Sequence, residues 1–237
     1  MIPTVETYDI DSVDRAEVLR YMGYRGQTYS DEISELVDRE IGLCLAAGRP
    51  RASIEVFDVA GVTNEEDVPV VALAGTALEL RGRFIAEHLE GAVSAAVIAV
   101  TAGMGVEREL RRRALTDHLA QLIFDAAGTA LVERAADAAE ASVIRMAAER
   151  DLYCNFRFSP GYGDLPLQTQ PMLLAALDAQ RRLGITLSSS LLMTPTKSVT
   201  AIIGMFKEPQ PKSHPSCAGC PLIDFCKIRP TGRTCRG

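Results

Sequence analysis

The chain contains no tryptophan, and aromatic residues make up only 5% of its 237 positions. It also lacks an excess of positive charge, because 25 lysines and arginines stand against 31 aspartates and glutamates, for a formal net charge of -6. This balance suits the phosphate backbone of nucleic acids poorly. The longest apolar run, residues 92–102, is far shorter than the roughly 20 residues that cross a bilayer. We therefore expect neither a nucleic-acid partner nor a membrane span.

The N-terminus lacks the apolar segment of a secretory signal peptide. It carries acidic residues instead, at Glu6, Asp9, Asp11 and Asp14, whereas a signal peptide needs a continuous apolar stretch of about 7 to 15 residues. Hydrophobic residues still make up 47% of the chain, which is typical of a globular protein. The sequence thus predicts a folded cytoplasmic protein.

Hydrophobic periodicity predicts helices and strands that are interleaved along the chain. This mixed order favours an α+β or α/β fold with one sheet. We expect a helix break near Gly128 and a solvated helix face at the arginine run 111–113. The predicted helices cover residues 31–47, 84–89, 107–149 and 171–183, and the predicted strands cover 53–59, 68–73, 95–101 and the pair 185–193 and 198–206.

A proline-rich segment divides the chain near its C-terminal end. Three prolines fall within residues 207–215, and few apolar side chains accompany them. Such a composition is typical of a linker. We therefore expect a main domain over residues 1–206 and a small cysteine-rich extension over residues 207–237.

The extension carries the pattern of a metal site. Two cysteines three positions apart can bind one ion through a tight loop. The spacing is compatible with an iron–sulfur cluster or with zinc, and His214 could serve as an additional ligand. The alternative is that the cysteines are reduced thiols that bind no metal. The Cys-x3-Cys-x2-Cys pattern of radical enzymes is missing. The four expected metal ligands are Cys217, Cys220, Cys226 and Cys235.

The loop from Arg157 to Pro166, which reads RFSPGYGDLP, is the other informative segment. Arg157 lies four residues before Gly161, which is followed by Tyr162. Arginine offers a planar, two-pronged donor for a carboxylate, and a glycine lets a ligand approach the backbone. Taken alone, the segment is compatible with a carboxylate-binding loop and with a rigid turn around a tyrosine.

Three segments in order resemble the activation domain of cobalamin-dependent methionine synthase. The Arg157 loop is similar to that family's Arg-x-x-x-Gly-Tyr-Pro-x-x-Pro motif, with Gly163 in place of the first proline. Residues 131–137, LVERAAD, look like its helix with an acidic ligand residue. Residues 193–200, MTPTKSVT, look like its Trp-Pro-x-x-Ser-Val-Ser segment. The resemblance covers about residues 125–206.

The resemblance implies a fold, a ligand and roles for particular residues. The fold would be α+β, a mixed and largely antiparallel sheet packed with helices. The domain would bind S-adenosylmethionine, with Arg157 on its carboxylate, Glu133 on its ammonium group and Gly161 beside the ligand. Tyr162 would face the corrin ring as well as border the S-adenosylmethionine site.

The implied activity is reductive remethylation of an oxidised corrinoid, with a methyl group from S-adenosylmethionine. The partners would be a cobalamin-dependent methionine synthase or a related corrinoid-binding protein, which holds the cobalamin, and an electron donor such as flavodoxin or ferredoxin. Holding the methyl group in line with cobalt is the main task of such a domain, and it needs no general base. The cysteine-rich extension would supply or relay the electron.

Two other classes of function remain open. One is a non-catalytic, metal-binding interaction module that binds a corrinoid protein or S-adenosylmethionine. The other is an unrelated methyltransferase, which is disfavoured because no Gly-x-Gly-x-Gly loop between a strand and a helix occurs; residues 102–105, AGMG, match it only in part. Binding of S-adenosylmethionine to the purified protein would separate the remethylation reading from an interaction module that recognises only a protein partner.

Overall fold

The computed structural model describes residues 3–210 of the chain. It has an α+β fold in which seven strands form one antiparallel sheet, in the order β4-β3-β2-β5-β9-β6 with β1 also paired to β2. A separate hairpin joins β7 to β8. The fold class expected from the family resemblance is confirmed. The strands are β1 Thr4–Thr7, β2 Arg51–Glu65, β3 Val68–Leu73, β4 Glu79–Arg81, β5 Ser94–Thr101, β6 Tyr153–Cys154, β7 Thr186–Leu187, β8 Met193–Thr194 and β9 Ser198–Phe206.

The helices pack on both faces of the sheet and against one another. No helix within residues 3–210 is long and apolar enough to cross a membrane. The helices are α1 Arg15–Tyr21, α2 Asp31–Ala47, α3 Arg83–His88, α4 Met104–Ala114, α5 His118–Ala148, α6 Gln170–Ala176 and α7 Ala179–Leu183, and a short 3-10 turn covers Leu167–Thr169.

The central strand β5 is buried on both faces, as its continuous apolar run predicts. Val97 belongs to the core under α3, α6 and α7, whereas its neighbours Ala96 and Ile98 belong to the core under α5. On the α5 side the helix contributes mainly alanines, such as Ala135 and Ala139. Small side chains let a helix approach a sheet closely, so the alanine-rich composition of residues 126–148 serves this contact.

The prediction of a helix break near Gly128 was wrong, because α5 is continuous at this position. The helical segment is interrupted instead at residues 115–117, between α4 and α5. Asp117 caps the start of α5 by accepting a hydrogen bond from the amide of Ala120 at 3.0 Å. An N-cap aspartate of this kind starts a new helix. Gly128 lies inside α5, where a Cβ atom would come within 3.2 Å of Lys197 Cγ. Its small size therefore serves packing.

Two other expectations near the C-terminal end of the main domain also need correction. The helix expected over 171–183 is two helices, because Asp178 adopts the left-handed conformation with φ +48° between them. The strands expected over 185–193 and 198–206 do not pair with each other. β9 pairs with β5 and β6 instead, and its apolar residues lie in the core. Residue pattern indicates that a strand is buried but does not choose its partner.

Residues 211–237 lie outside the described part of the chain, and so do the four predicted metal ligands Cys217, Cys220, Cys226 and Cys235. The domain boundary at residue 206 and the metal site therefore remain predictions. β9 ends at Phe206.

Candidate functional site

A groove of about 880 Å³ opens where β9 begins. Its walls come from α1, from the middle of α5, from the Arg157 loop and from the residues that lead into β9. A concave site of this volume is large enough for a cofactor-sized ligand. All three segments that carry the family resemblance contribute to this one groove.

Arg157 lies at the centre of the groove among three carboxylates of α5. Its Nη2 atom is 2.8 Å from Asp137 Oδ1 and 3.7 Å from Glu133 Oε2, and its Nε atom is 3.3 Å from Glu140 Oε2. Its third nitrogen, Nη1, is buried and has no hydrogen-bond partner within residues 3–210. A buried donor left unpaired costs free energy, so this nitrogen is suited to a ligand that supplies an acceptor.

The three carboxylates share one face of α5 because of their spacing. Glu133, Asp137 and Glu140 are separated by four and three residues, which places them one above the other along a helix. All three line the groove. The helix thus presents a row of negative charge to whatever occupies the site.

Helix α1 adds a second charged wall. Glu17 and Arg20 line the groove and pair with each other at 3.0 Å. Four carboxylates and two guanidinium groups therefore surround the site, a net charge of -2. Burial, together with the charges of Glu133 and Glu17, raises the pKa of Tyr21. The electrostatic environment favours a ligand that carries positive charge next to a single carboxylate or similar acceptor.

The Arg157 loop is closed by its own backbone. The amide of Gly161 donates to the carbonyl oxygen of Leu165 at 2.9 Å, and the amide of Leu165 donates to that of Tyr162 at 3.1 Å. Gly161 has φ +89°, a conformation that glycine adopts readily. Leu165 is buried, whereas Tyr162 is 58% exposed on the rim of the groove.

Gly163, where the sequence departs from the family motif, and the neighbouring Asp164 fasten the loop to α3. The carboxylate of Asp164 accepts hydrogen bonds from the backbone amides of Arg83 at 2.7 Å and of Phe84 at 3.1 Å. A Cβ atom on Gly163 would come within 2.9 Å of the Phe84 ring, so a side chain there would displace that packing. The loop is therefore held by contacts to α3 in place of the family's proline.

The residues that lead into β9 form the opposite wall. The hydroxyl of Ser198 donates to the carbonyl oxygen of Pro195 at 2.8 Å, and its oxygen lies within hydrogen-bond distance, 2.9 Å, of Thr101 Oγ1. Thr200 donates to Gln170 Oε1 at 3.0 Å. Lys197 turns away toward α5 and pairs with Asp125 at 2.8 Å. The polar wall is thus fixed by internal hydrogen bonds, and the lysine of this segment is engaged elsewhere.

The expected site residues of the main domain lie together. Glu133, Arg157 and Tyr162 all line the groove, and Gly161 lies in the loop between the last two. The sequence reasoning missed Asp137 and Glu140, although their helical spacing from Glu133 is a usable signal. It also missed α1, because nothing local in residues 15–21 shows that they will contact α5.

Within the described part of the chain, no group of histidine, cysteine or acidic side chains is arranged to hold a metal ion. The two cysteines there do not offer thiolates either. Burial raises the pKa of Cys44 to about 12 and that of Cys154 to about 11, so both stay protonated at neutral pH.

The fold and the groove define an α+β protein with an acidic, arginine-centred ligand groove at one end of an antiparallel sheet. The chain belongs to the family of the activation domain of vitamin B12 dependent methionine synthase, whose sequence model matches residues 82–214, more than half of its length. Comparison with curated proteins found no match.

A solved structure described as the MetH reactivation domain bound to AdoHcy has a similar fold. The two align with a TM-score of 0.64 and 14% sequence identity, over 98% of this chain and 86% of that one. At this identity the similarity is one of fold. It extends beyond residues 82–214 and so covers α1 as well.

Proposed function

We propose that the groove binds S-adenosylmethionine and that the protein uses it to remethylate an oxidised corrinoid. The corrinoid would be held by a cobalamin-dependent methionine synthase or a related corrinoid protein. The observation that carries this proposal is that the three family segments line one groove with Arg157, whose Nη1 atom is buried without a hydrogen-bond partner among residues 3–210. The similar fold of a domain crystallised with AdoHcy supports the same ligand class.

The charges of the groove suit this ligand. S-adenosylmethionine carries a positive sulfonium, a positive ammonium and one carboxylate, for a net charge of +1, whereas the groove has a net charge of -2. In our proposal the carboxylate takes Nη1 of Arg157 and the ammonium lies by Glu133, with Gly161 leaving room for the ligand. Asp137 and Glu140 hold the guanidinium in place at 2.8 and 3.3 Å.

The proposed reaction balances with one external electron. A donor of the flavodoxin or ferredoxin class supplies one electron to a cobalt(II) corrinoid. The methyl group leaves the sulfonium as a cation equivalent, which yields methylcobalt(III) and S-adenosylhomocysteine. No proton is transferred. The contribution of the protein is to place the methyl group, which removes much of the orientational entropy of a reaction between two bound molecules.

The cysteine-rich extension would have a role distinct from that of the groove. We propose that residues 217–235 hold an iron–sulfur cluster or zinc, with the cluster as the form that would relay the electron. The proposal for the groove does not depend on it.

The test of ligand binding uses Arg157→Lys and two ligands. Lysine keeps the positive charge between the carboxylates but loses the planar fork. By calorimetry, we expect Arg157→Lys to bind S-adenosylmethionine about tenfold more weakly than the natural protein, a loss of about 1.4 kcal/mol. Decarboxylated S-adenosylmethionine should bind both proteins equally, because it lacks the group that Arg157 is proposed to contact.

Arg134→Lys is the matched control, since Arg134 is an exposed residue of α5 that does not line the groove. It should bind both ligands as the natural protein does. An equal loss for the two ligands in Arg157→Lys would show that the carboxylate contact is wrong. If the natural protein binds neither ligand, the proposal for the groove fails as a whole.

A further inference from the structure

A second concave surface, unrelated to the groove, lies at the same end of the sheet. It is a cleft of about 810 Å³ between the end of α2, the start of β2, the start of α4 and α7. Arg51 of β2 is paired with Thr101 of β5, and Thr101 with Ser198 of the groove wall. Two strand spacings of about 4.8 Å place the backbone of the cleft about 10 Å from that of the groove.

The cleft concentrates positive charge in a chain whose formal charge is -6. Five arginines line it, and the only carboxylate among the lining residues is Glu109. Asp178 lies close by and pairs with two of the arginines. Counting both carboxylates, the cleft keeps a net charge of +3. The five arginines are Arg49, Arg51, Arg108, Arg181 and Arg182.

Three of these guanidinium groups have no carboxylate of residues 3–210 within ion-pair distance. Arg49 Nη1 donates to the carbonyl oxygens of Ala46 at 3.1 Å and Gly48 at 2.6 Å. Arg51 Nη2 donates to the carbonyl oxygen of Leu183 at 3.3 Å. Arg108 is exposed and forms neither an ion pair nor a hydrogen bond to a carbonyl oxygen within residues 3–210. Backbone carbonyls orient a guanidinium but do not neutralise it, so the charge is available to a ligand.

Arg182 adds a partly satisfied group to the same cleft. Its Nε atom is buried and makes no hydrogen bond to the described residues, although Asp178 Oδ2 lies 3.5 Å away. Gathering five guanidinium groups raises their mutual repulsion, and a bound anion would relieve it.

The start of α4 also faces this cleft. Gly103 and Met104 line it, and no side chain caps the first turn of the helix. Gly105 lets the end of α2 approach, because a Cβ atom there would overlap the carbonyl oxygen of Ala47. Helix N-termini attract anions through their free amides and the helix dipole. This helix end therefore adds to a preference that the arginines already set.

We propose that the arginine cleft binds a small molecule that carries a pyrophosphate group. Arginine forks match the oxygen pairs of phosphates, and a net charge of +3 calls for a ligand with several negative charges. The volume of about 810 Å³ lies within the range of small-molecule sites, whereas a stable protein partner would need a broader surface. The proposal is independent of S-adenosylmethionine and concerns a different site.

The test is calorimetric titration of the whole chain with inorganic pyrophosphate at constant ionic strength. We expect saturable binding that is at least tenfold weaker in Arg49→Gln/Arg108→Gln, which corresponds to about 1.4 kcal/mol or more. Arg108→Gln alone removes no contact within the described residues, so it should weaken binding without affecting the fold. The matched control is Arg134→Gln, an exposed arginine outside the cleft.

Three results would overturn the proposal. The first is the absence of saturable pyrophosphate binding to the natural protein at millimolar concentration. The second is equal weakening in the control and in the cleft variants, which would indicate a nonspecific charge effect. The third is tighter binding of a short polyglutamate peptide than of pyrophosphate, which would assign the cleft to an acidic protein segment.

Discussion

Thr196 and Glu107 are joined by two hydrogen bonds to a single oxygen atom. The backbone amide and the hydroxyl of Thr196 both donate to Glu107 Oε2, each at 2.8 Å. Glu107 belongs to α4 and is buried, and its other oxygen accepts from Arg111 Nε at 2.9 Å. One carboxylate of α4 thus fixes the residues that lead into β9, and with them a wall of the groove.

We predict that Glu107→Gln destabilises the protein and changes how its stability depends on pH. Burial alone would raise the pKa of Glu107, but the hydrogen bonds from Thr196 and the contact with Arg111 outweigh it, so the pKa lies below its usual value of 4.5. A lowered pKa stabilises the fold above pH 4.5, and that contribution is lost as the pH falls through the lower value of the folded protein.

Urea unfolding at several pH values checks this. We expect Glu107→Gln to cost about 1 to 3 kcal/mol at pH 7, the scale of charged hydrogen bonds. The difference from the natural protein should shrink as the pH falls below 4.5. The exposed Glu90→Gln serves as the control and should change stability little. A difference that stays constant with pH would contradict the assignment.

The buried ion pair between Glu40 and Arg113 gives a second prediction. Arg113 Nε lies 2.6 Å from Glu40 Oε2, both side chains are 4% exposed, and the guanidinium also stacks on Phe124 at 3.9 Å. Arg113 Nη1 also pairs with Glu109, so Glu40→Gln removes one of two carboxylate partners of a buried guanidinium and should cost about 1.5 to 3 kcal/mol of unfolding free energy.

Urea unfolding again provides the measurement. The double variant Glu40→Leu/Arg113→Met should recover much of that loss, because apolar side chains of similar size need no charged partner. Asp38→Asn breaks the exposed pair with Arg15 and should cost at most about 1 kcal/mol. A loss of that small size in Glu40→Gln would show that water reaches the pair.

Tyr162→Ala should separate methyl transfer from ligand binding. Tyr162 lies on the rim of the groove with 58% of its surface exposed, and the loop around it is closed by backbone hydrogen bonds. Its loss should therefore leave Arg157 and Glu133 in place and remove a surface that would contact the corrin ring. We expect a clear decrease in the rate of methylcobalt(III) formation and little change in the affinity for S-adenosylmethionine.

An absorption spectrum that follows the cobalt(II) band of a corrinoid protein reports the rate, with a strong one-electron donor present. Exposed Tyr153, which lies outside the groove, provides the matched control as Tyr153→Ala. If the band persists with every corrinoid partner tried while S-adenosylmethionine binds, the interaction module becomes the better account.

The cysteine-rich extension gives the fourth prediction. Protein purified without oxygen should carry iron and acid-labile sulfide, or else zinc, and should lose the metal in Cys217→Ser/Cys220→Ser. Cys154→Ser is the control, because Cys154 belongs to the main domain. Metal analysis and an absorption spectrum distinguish the outcomes. Zinc alone would assign the extension a structural role, and a metal-free protein would contradict the prediction.

Local signals allowed the sequence to predict many of the elements. Helix α2 was expected over residues 31–47 and has these bounds, because Ser30 caps its start and Gly48 follows its end. The run 111–113 shows where such reasoning fails. Arg111 and Arg112 are solvated, as expected, but Arg113 is buried against Glu40, which lies 73 positions earlier in the chain. Arg113 lies on the same helix face as Val106 and Leu110, but the sequence does not show which carboxylate will pair with it.

The groove, too, could be predicted from the sequence only in part. The contribution of Arg157 and Glu133 could be expected from segments that resemble a known family. The contribution of α1 could not, because Glu17 and Tyr21 reach the site only through packing of α1 against α5. The arginine cleft was also missed, since its lining residues come from positions 46–51, 103–109 and 181–184.

The position of β5 between β2 and β9 limits how the chain can be divided. The segment that matches the family begins at residue 82 and includes β5 and β9, whereas β2 lies before it. A fragment of residues 82–214 would leave one side of a fully buried apolar strand without hydrogen-bond partners. Unpaired strand edges of this kind recruit other chains and aggregate. The half of the protein that carries Arg157 and Glu133 thus depends on the other half to pair the exposed edge of β5 and to stay folded.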